Sequence, residues 1–91
     1  DDVCVRRGPA LWRRASGYLT VAAVDGASVR MSGSAGDVWD LLPQPSNEPI
    51  AMTTLVATLT DRFDAHADAV EHDVAEVLDA LEAIGCVVRI A

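Results

Sequence analysis

The side chains that could do chemistry in this chain are few, and their spacing argues against catalysis. His66 and His72 stand six residues apart, which on a helix puts them on different faces instead of the i,i+4 step of a paired metal site. Cys4 and Cys86 have no CxxC partner, so no metal site is expected. Ser32 to Gly36 reads SGSAG. Its glycines flank the wrong positions for a G-x-S-x-G nucleophile elbow, and turn chemistry before a helix explains them better. Carboxylates such as Asp73 and Glu76 share a helix face with nothing to raise a pKa, and read as a solvated acidic face. There is no lysine, which removes a Walker A lysine, a Schiff-base lysine and a lysine general base together. The expectation is a protein that is not an enzyme and needs no cofactor.

Composition narrows the class further. A chain of 91 residues is expected to form a single domain, 1–91, burying ~60–65% of the surface its unfolded form exposes. With 51% hydrophobic residues it is too apolar for a disordered class. No apolar run reaches the roughly 18 residues of a membrane helix and no signal-peptide pattern opens it, so a soluble, cytoplasmic protein with no membrane partner is expected. Two distant cysteines in that setting read as reduced thiols, with Cys86 as a small core residue. Residues 1–45 hold five arginines balanced by five aspartates, whereas the rest holds nine acids against Arg62 and Arg89. The net charge of −7 therefore lies in the C-terminal half. A surface that displaces counterions from a duplex needs clustered basic side chains, so no nucleic-acid partner is expected.

These residues must be positioned by short elements. Residues 1–10 read as a lead-in with a Gly8-Pro9 break. Leu11–Ala15, Tyr18–Val24 and Ser28–Ser32 read as three strands, separated by Ser16-Gly17 and Asp25-Gly26 turn signals. They predict an antiparallel meander with Tyr18–Val24 central and Ser28–Ser32 at an edge, where a row of backbone donors and acceptors is left unpaired. A first helix opens near Ser34 and ends at Pro43; a second covers about Met52–Arg62 after the proline-rich loop 43–49. The third carries Val70, Val74, Val77, Leu78, Leu81 and Ile84 at three- and four-residue steps, with Asp68 as its expected N-cap and Gly85 as its stop. Of that stripe, Val70, Leu78 and Ile84 are expected in the core, with Val77 and Leu81 partly open. Val87–Ile90 is a candidate closing strand. The fold class is α+β, winged helix-turn-helix-like: a three-stranded antiparallel sheet followed by three helices.

Three fragments in this order carry a resemblance: VWDLL (Val38–Leu42), LTDRFDA (Leu59–Ala65) and DVAEVLDALEAIGCV (Asp73–Val87). Together they resemble the PqqD family, whose pattern runs approximately IW-x-LL, E-x-[YF]-D-V and D-V-x-x-F-L-x-x-L-x-x-x-G-L. The chain departs from it in the longer loop 43–49, in SGSAGDVW ahead of the first helix, and in Cys86-Val87 after Gly85. The resemblance implies a recognition element for ribosomally synthesised and post-translationally modified peptides (RiPPs). Such a domain is non-catalytic: it captures the leader peptide of a precursor by strand addition and delivers it to modifying enzymes. The expected partners are the precursor leader peptide and a leader peptidase or other RiPP-modifying enzyme, such as a cyclase or a radical SAM enzyme. The WRR strand with its Ser-Gly turn, and the absence of a fused radical enzyme, lean toward the standalone lasso-peptide type.

Carried onto this sequence, the docking edge is Val29, Arg30, Met31 and Ser32, and the groove wall is Asp73, Val74, Val77, Ala80 and Leu81. Edge backbone would supply affinity and side-chain pockets specificity. Two other classes stay open: a winged-helix DNA-binding regulator, and a structural adaptor for another protein.

Overall fold

The computed structural model describes residues 3–90. The order is β1 (Cys4–Arg7), β2 (Leu11–Ala15), β3 (Tyr18–Ala22), β4 (Ser28–Ser32), α1 (Ala35–Leu41), β5 (Ile50–Ala51), α2 (Met52–Phe63), α3 (Ala67–Ala83) and β6 (Val87–Ile90). The strands form two antiparallel three-stranded sheets, β2-β3-β4 and β5-β1-β6. This is the small α+β, winged-helix-like arrangement the element order predicts, with one sheet more than expected.

The first sheet is a meander because both of its turns are chemically specified. Ser16 and Gly17 both have positive φ, 53° and 81°, as a two-residue type I′ turn requires, and they close the β2–β3 hairpin at the Ala15–Tyr18 pair. The β3–β4 turn is wider than Asp25-Gly26 alone. Ala23 donates to Ala27 O, the Asp25 carboxylate accepts from Ala27 N–H, and β3 stops at Ala22. Period-two alternation then points Leu19, Val21, Met31 and the half-buried Val29 inward, with Tyr18, Thr20, Arg13 and Arg30 on the opposite face.

The second sheet corrects the reading of residues 1–10. Cys4–Arg7 is a strand, paired along its whole length with β6 and at Cys4 and Val5 with β5. Four residues carry little local signal, and these partners lie more than forty residues away. Gly8 follows because the chain has no room for a Cβ there: one would sit 2.5 Å from the Gly85 carbonyl oxygen. Gly8 N–H donates to Cys86 O at 2.8 Å, tying the end of β1 to the start of β6.

The core gathers Leu19, Val21 and Met31 from the meander, Val5 and Val87 from the second sheet, and Val38, Trp39, Leu42, Leu55, Leu59, Val74, Leu78 and Leu81 from the helical region. Fully burying each such side chain is worth roughly 1.5–3 kcal/mol. Cys86 is buried and both cysteines are free thiols. Helix α3 ends as expected. Gly85 N–H bonds Glu82 O and Cys86 N–H bonds Leu81 O, a Schellman motif with Gly85 at φ 80°. Its start differs: His66 is the N-cap, without a side-chain cap bond, and Asp68 lies in the first turn, where its charge favours the helix dipole.

Candidate functional site

The sequence places its docking edge on β4, and the register decides which of its backbone groups are free. In an antiparallel pair, bonded and non-bonded residue pairs alternate. Ala23 N–H bonds Ala27 O, and the same register pairs Val21 with Val29 and Leu19 with Met31. Val29 and Met31 therefore spend their N–H and C=O groups on β3. Ser28, Arg30 and Ser32 aim theirs away from the sheet, along the open side of an edge strand. The side chains divide in the opposite sense. Met31 is buried at 7% exposure and Val29 is half-buried, both on the core face, whereas Arg30 and Ser32 are exposed.

Helix α1 lies against β4, and α3 packs against α1, α2 and β6. Two arginines hold α1 in place. Arg7, from β1, is buried; its Nε and Nη2 donate to Trp39 O at 3.2 and 2.7 Å. Its guanidinium lies 4.5 Å from the Trp39 ring centre and 5.6 Å from that of Trp12 on β2, so a cation–π sandwich joins β1, β2 and α1. Burial lowers the Arg7 pKa below its ordinary value, an effect opposed by nearby Asp40 and reinforced by Arg14. Arg14, on the core face of β2, makes an ion pair with Asp40 of α1. These contacts went unseen in the sequence because no local spacing links Arg7 to Trp12 or Trp39.

On α3 the proposed wall residues split. Val74 and Leu81 are core residues, 1% and 0% exposed, and cannot meet a surface peptide. Asp73 and Ala80 are exposed and Val77 is half-buried. The stripe divides differently from the sequence expectation: Val74, Leu78 and Leu81 fill the core, while Val70, Val77 and Ile84 pack at its margin. At 100° per residue, Asp73, Val77, Ala80 and Ile84 lie along one flank of α3. The other flank is occupied: Asp79 and Glu82 pair with Arg89 of β6, and Glu71 faces a groove shared with α2. The flank bearing Asp73, Val77, Ala80 and Ile84 is thus the one turned away from both β6 and α2. Ile84, absent from the predicted wall, belongs to the same flank by spacing.

Hollows open on the surface of the described residues. One of about 310 Å³ lies at the end of β4, lined among others by Arg14, Leu19, Met31, Ser32 and Gly36. The larger, about 970 Å³, runs between α2 and the start of α3 past Met52, Val56, Thr60, Asp61, Asp64 and Glu71. It includes none of the predicted docking residues. Among the described residues no group of three or more His, Cys, Asp or Glu side chains is placed to hold a metal, and no helix is long and apolar enough to cross a membrane.

Comparison with known proteins agrees with the motif reading. The family model described as Coenzyme PQQ synthesis protein D (PqqD) matches residues 17–87, from the β2–β3 turn to the first residue of β6. Neither the curated proteins nor the solved structures give a match. The chain belongs to the PqqD family, a family of non-catalytic recognition proteins, and that membership points to a peptide-binding role in RiPP biosynthesis.

Proposed function

We propose, from membership of the PqqD family, that the chain is a single leader-peptide-binding domain that captures a precursor by strand addition to β4 and hands it to a modifying enzyme. The observation that carries this reading is the unpaired backbone of Ser28, Arg30 and Ser32, presented by an edge strand whose core-facing neighbours are apolar. Three edge residues offer up to three N–H and three C=O groups. The edge Val29–Ser32 and the α3 flank with Asp73, Val77 and Ala80 form the proposed site, with Val74 and Leu81 holding the wall from behind. Delivery is to a leader peptidase and cyclase of the lasso-peptide type; the Trp-Arg-Arg strand and its Ser-Gly turn favour this over a radical SAM partner. The exposed side of α3 supports peptide over duplex DNA, since it offers Glu71, Asp73 and Glu76 where a recognition helix needs basic or amide side chains.

Calorimetry tests the reading. The leader half of the cognate precursor peptide should bind one to one, and the peptide without its leader should not. Equal affinity for the two halves would refute leader capture.

A further inference from the structure

The outer face of the first sheet carries two arginines that, among the described residues, have no acidic partner. Arg13 pairs across β2–β3 with Thr20, and Thr20 pairs across β3–β4 with Arg30, so the three form one row perpendicular to the strands. The other five arginines have protein acceptors: Arg6 reaches Asn47 O, Arg7 reaches Trp39 O, and Arg14, Arg62 and Arg89 pair with Asp40, Asp37 and Asp79. Among the described residues no carboxylate stands within ion-pair distance of Arg13 or Arg30, although the chain has 14 acids to 7 basic residues. Arg30 instead lies over the Tyr18 ring, 5.4 Å from its centre, which holds the guanidinium at the β4 end of the row.

An added strand continues that row. Its member opposite Arg30 stands about 4.8 Å further on and points to the same outer face, while its two neighbours point inward beside Val29 and Met31. We propose that this member is a carboxylate and its two neighbours are apolar, so that β4 selects an apolar–acidic–apolar triplet. The inference rests on strand addition to β4 and adds what the strand must contain. The acid completes a row that otherwise ends on a cation no described carboxylate neutralises, and the apolar pair meets the half-buried Val29 and the margin of the core. Arg13, three strands from the added one and so about 14 Å from its acid, is largely screened at physiological salt, and Arg30 carries the preference.

The probe is a display library of random short peptides selected on the full chain. Selection should enrich Asp or Glu flanked on both sides by Val, Ile, Leu or Phe. Selection on Arg30→Glu should replace that acid by Arg or Lys. A peptide from the first selection should lose about tenfold when its acid becomes Lys, the sum of a lost attraction and a new repulsion, and regain most of it on Arg30→Glu. N-methylation at alternate backbone amides of the same peptide should weaken binding more than at the intervening amides. If the alternation is present but the acid is neither enriched nor exchanged on Arg30→Glu, strand addition stands and the carboxylate preference is refuted. If no alternation appears, the peptides do not bind as a strand, and both readings fall.

Discussion

Proline at two adjacent positions of β4 separates the free edge from the sheet ladder. Proline removes a backbone N–H and is tolerated in a strand only where that N–H faces solvent. At Arg30 the N–H faces outward and the side chain is exposed, so Arg30→Pro should cost at most about 1 kcal/mol, a Tm decrease of about 4–8 °C for a domain of this size. At Met31 the N–H belongs to the bond with Leu19 and the side chain is 7% exposed. Met31→Pro strands the Leu19 carbonyl, about 1–3 kcal/mol, and empties much of a core site, about 2–5 kcal/mol. That total reaches a large part of the roughly 5–14 kcal/mol expected for 91 residues. Arg30→Pro should therefore stay folded and Met31→Pro should be largely unfolded at 37 °C. Binding follows the opposite logic. Arg30→Pro deletes one intermolecular bond worth about 1 kcal/mol and puts a ring where the incoming strand must lie, so its affinity for the leader should fall at least tenfold. Arg30→Ala keeps the N–H and isolates the loss of the side chain. Thermal denaturation and calorimetry read both properties. A folded Arg30→Pro with the affinity of Arg30→Ala would refute strand addition, and a folded, cooperative Met31→Pro would refute the register.

Three other expectations follow from the same contacts. Arg7→Met keeps much of the volume but loses two charge-assisted hydrogen bonds and two ring contacts, and should destabilise by about 2–4 kcal/mol in urea unfolding. Val77→Asp should weaken leader binding by about 1–3 kcal/mol with a smaller effect on stability than Leu78→Ala, because Val77 is half-buried and Leu78 is fully buried. Burial, and secondarily Asp25, raises the Cys86 thiol above its ordinary value of 9.0. A thiol raised in the fold contributes stability below the unfolded value and loses it as pH rises past it. As pH rises past the ordinary thiol range of about 8.5, thermal melts should therefore fall more steeply for the native chain than for Cys86→Ala; parallel curves would refute this contribution.

Much of this arrangement was legible from local signals. Alternation and the two turns fixed the meander. Three-and-four spacing fixed α2 and α3, and Gly85 fixed the end of α3. The remainder depended on contacts distant in the chain. Cys4–Arg7 becomes a strand only because Val87–Ile90 lies beside it. Nothing local marks Arg7 as buried, because Trp12 and Trp39 come to it only in the fold. The division of the α3 stripe was illegible for a different reason: Val70, Val74, Val77, Leu81 and Ile84 fall within an arc of about 80°, and which part of that arc faces the core depends on where α1, α2 and β6 lie. Ser28–Ser32 was legible as an edge strand, but only the pairing with β3 tells that Arg30, and not Met31, offers the free backbone.

Residue-resolved amide exchange on the free chain and on the chain with its precursor leader tests the central claim most directly. In the free chain Val29 and Met31, bonded to β3, should exchange slowly, while Ser28, Arg30 and Ser32 should exchange fast. Leader binding should slow Arg30 and its outward-facing neighbours selectively. Unchanged exchange along β4, with new protection confined to residues lining the groove between α2 and α3, would contradict it.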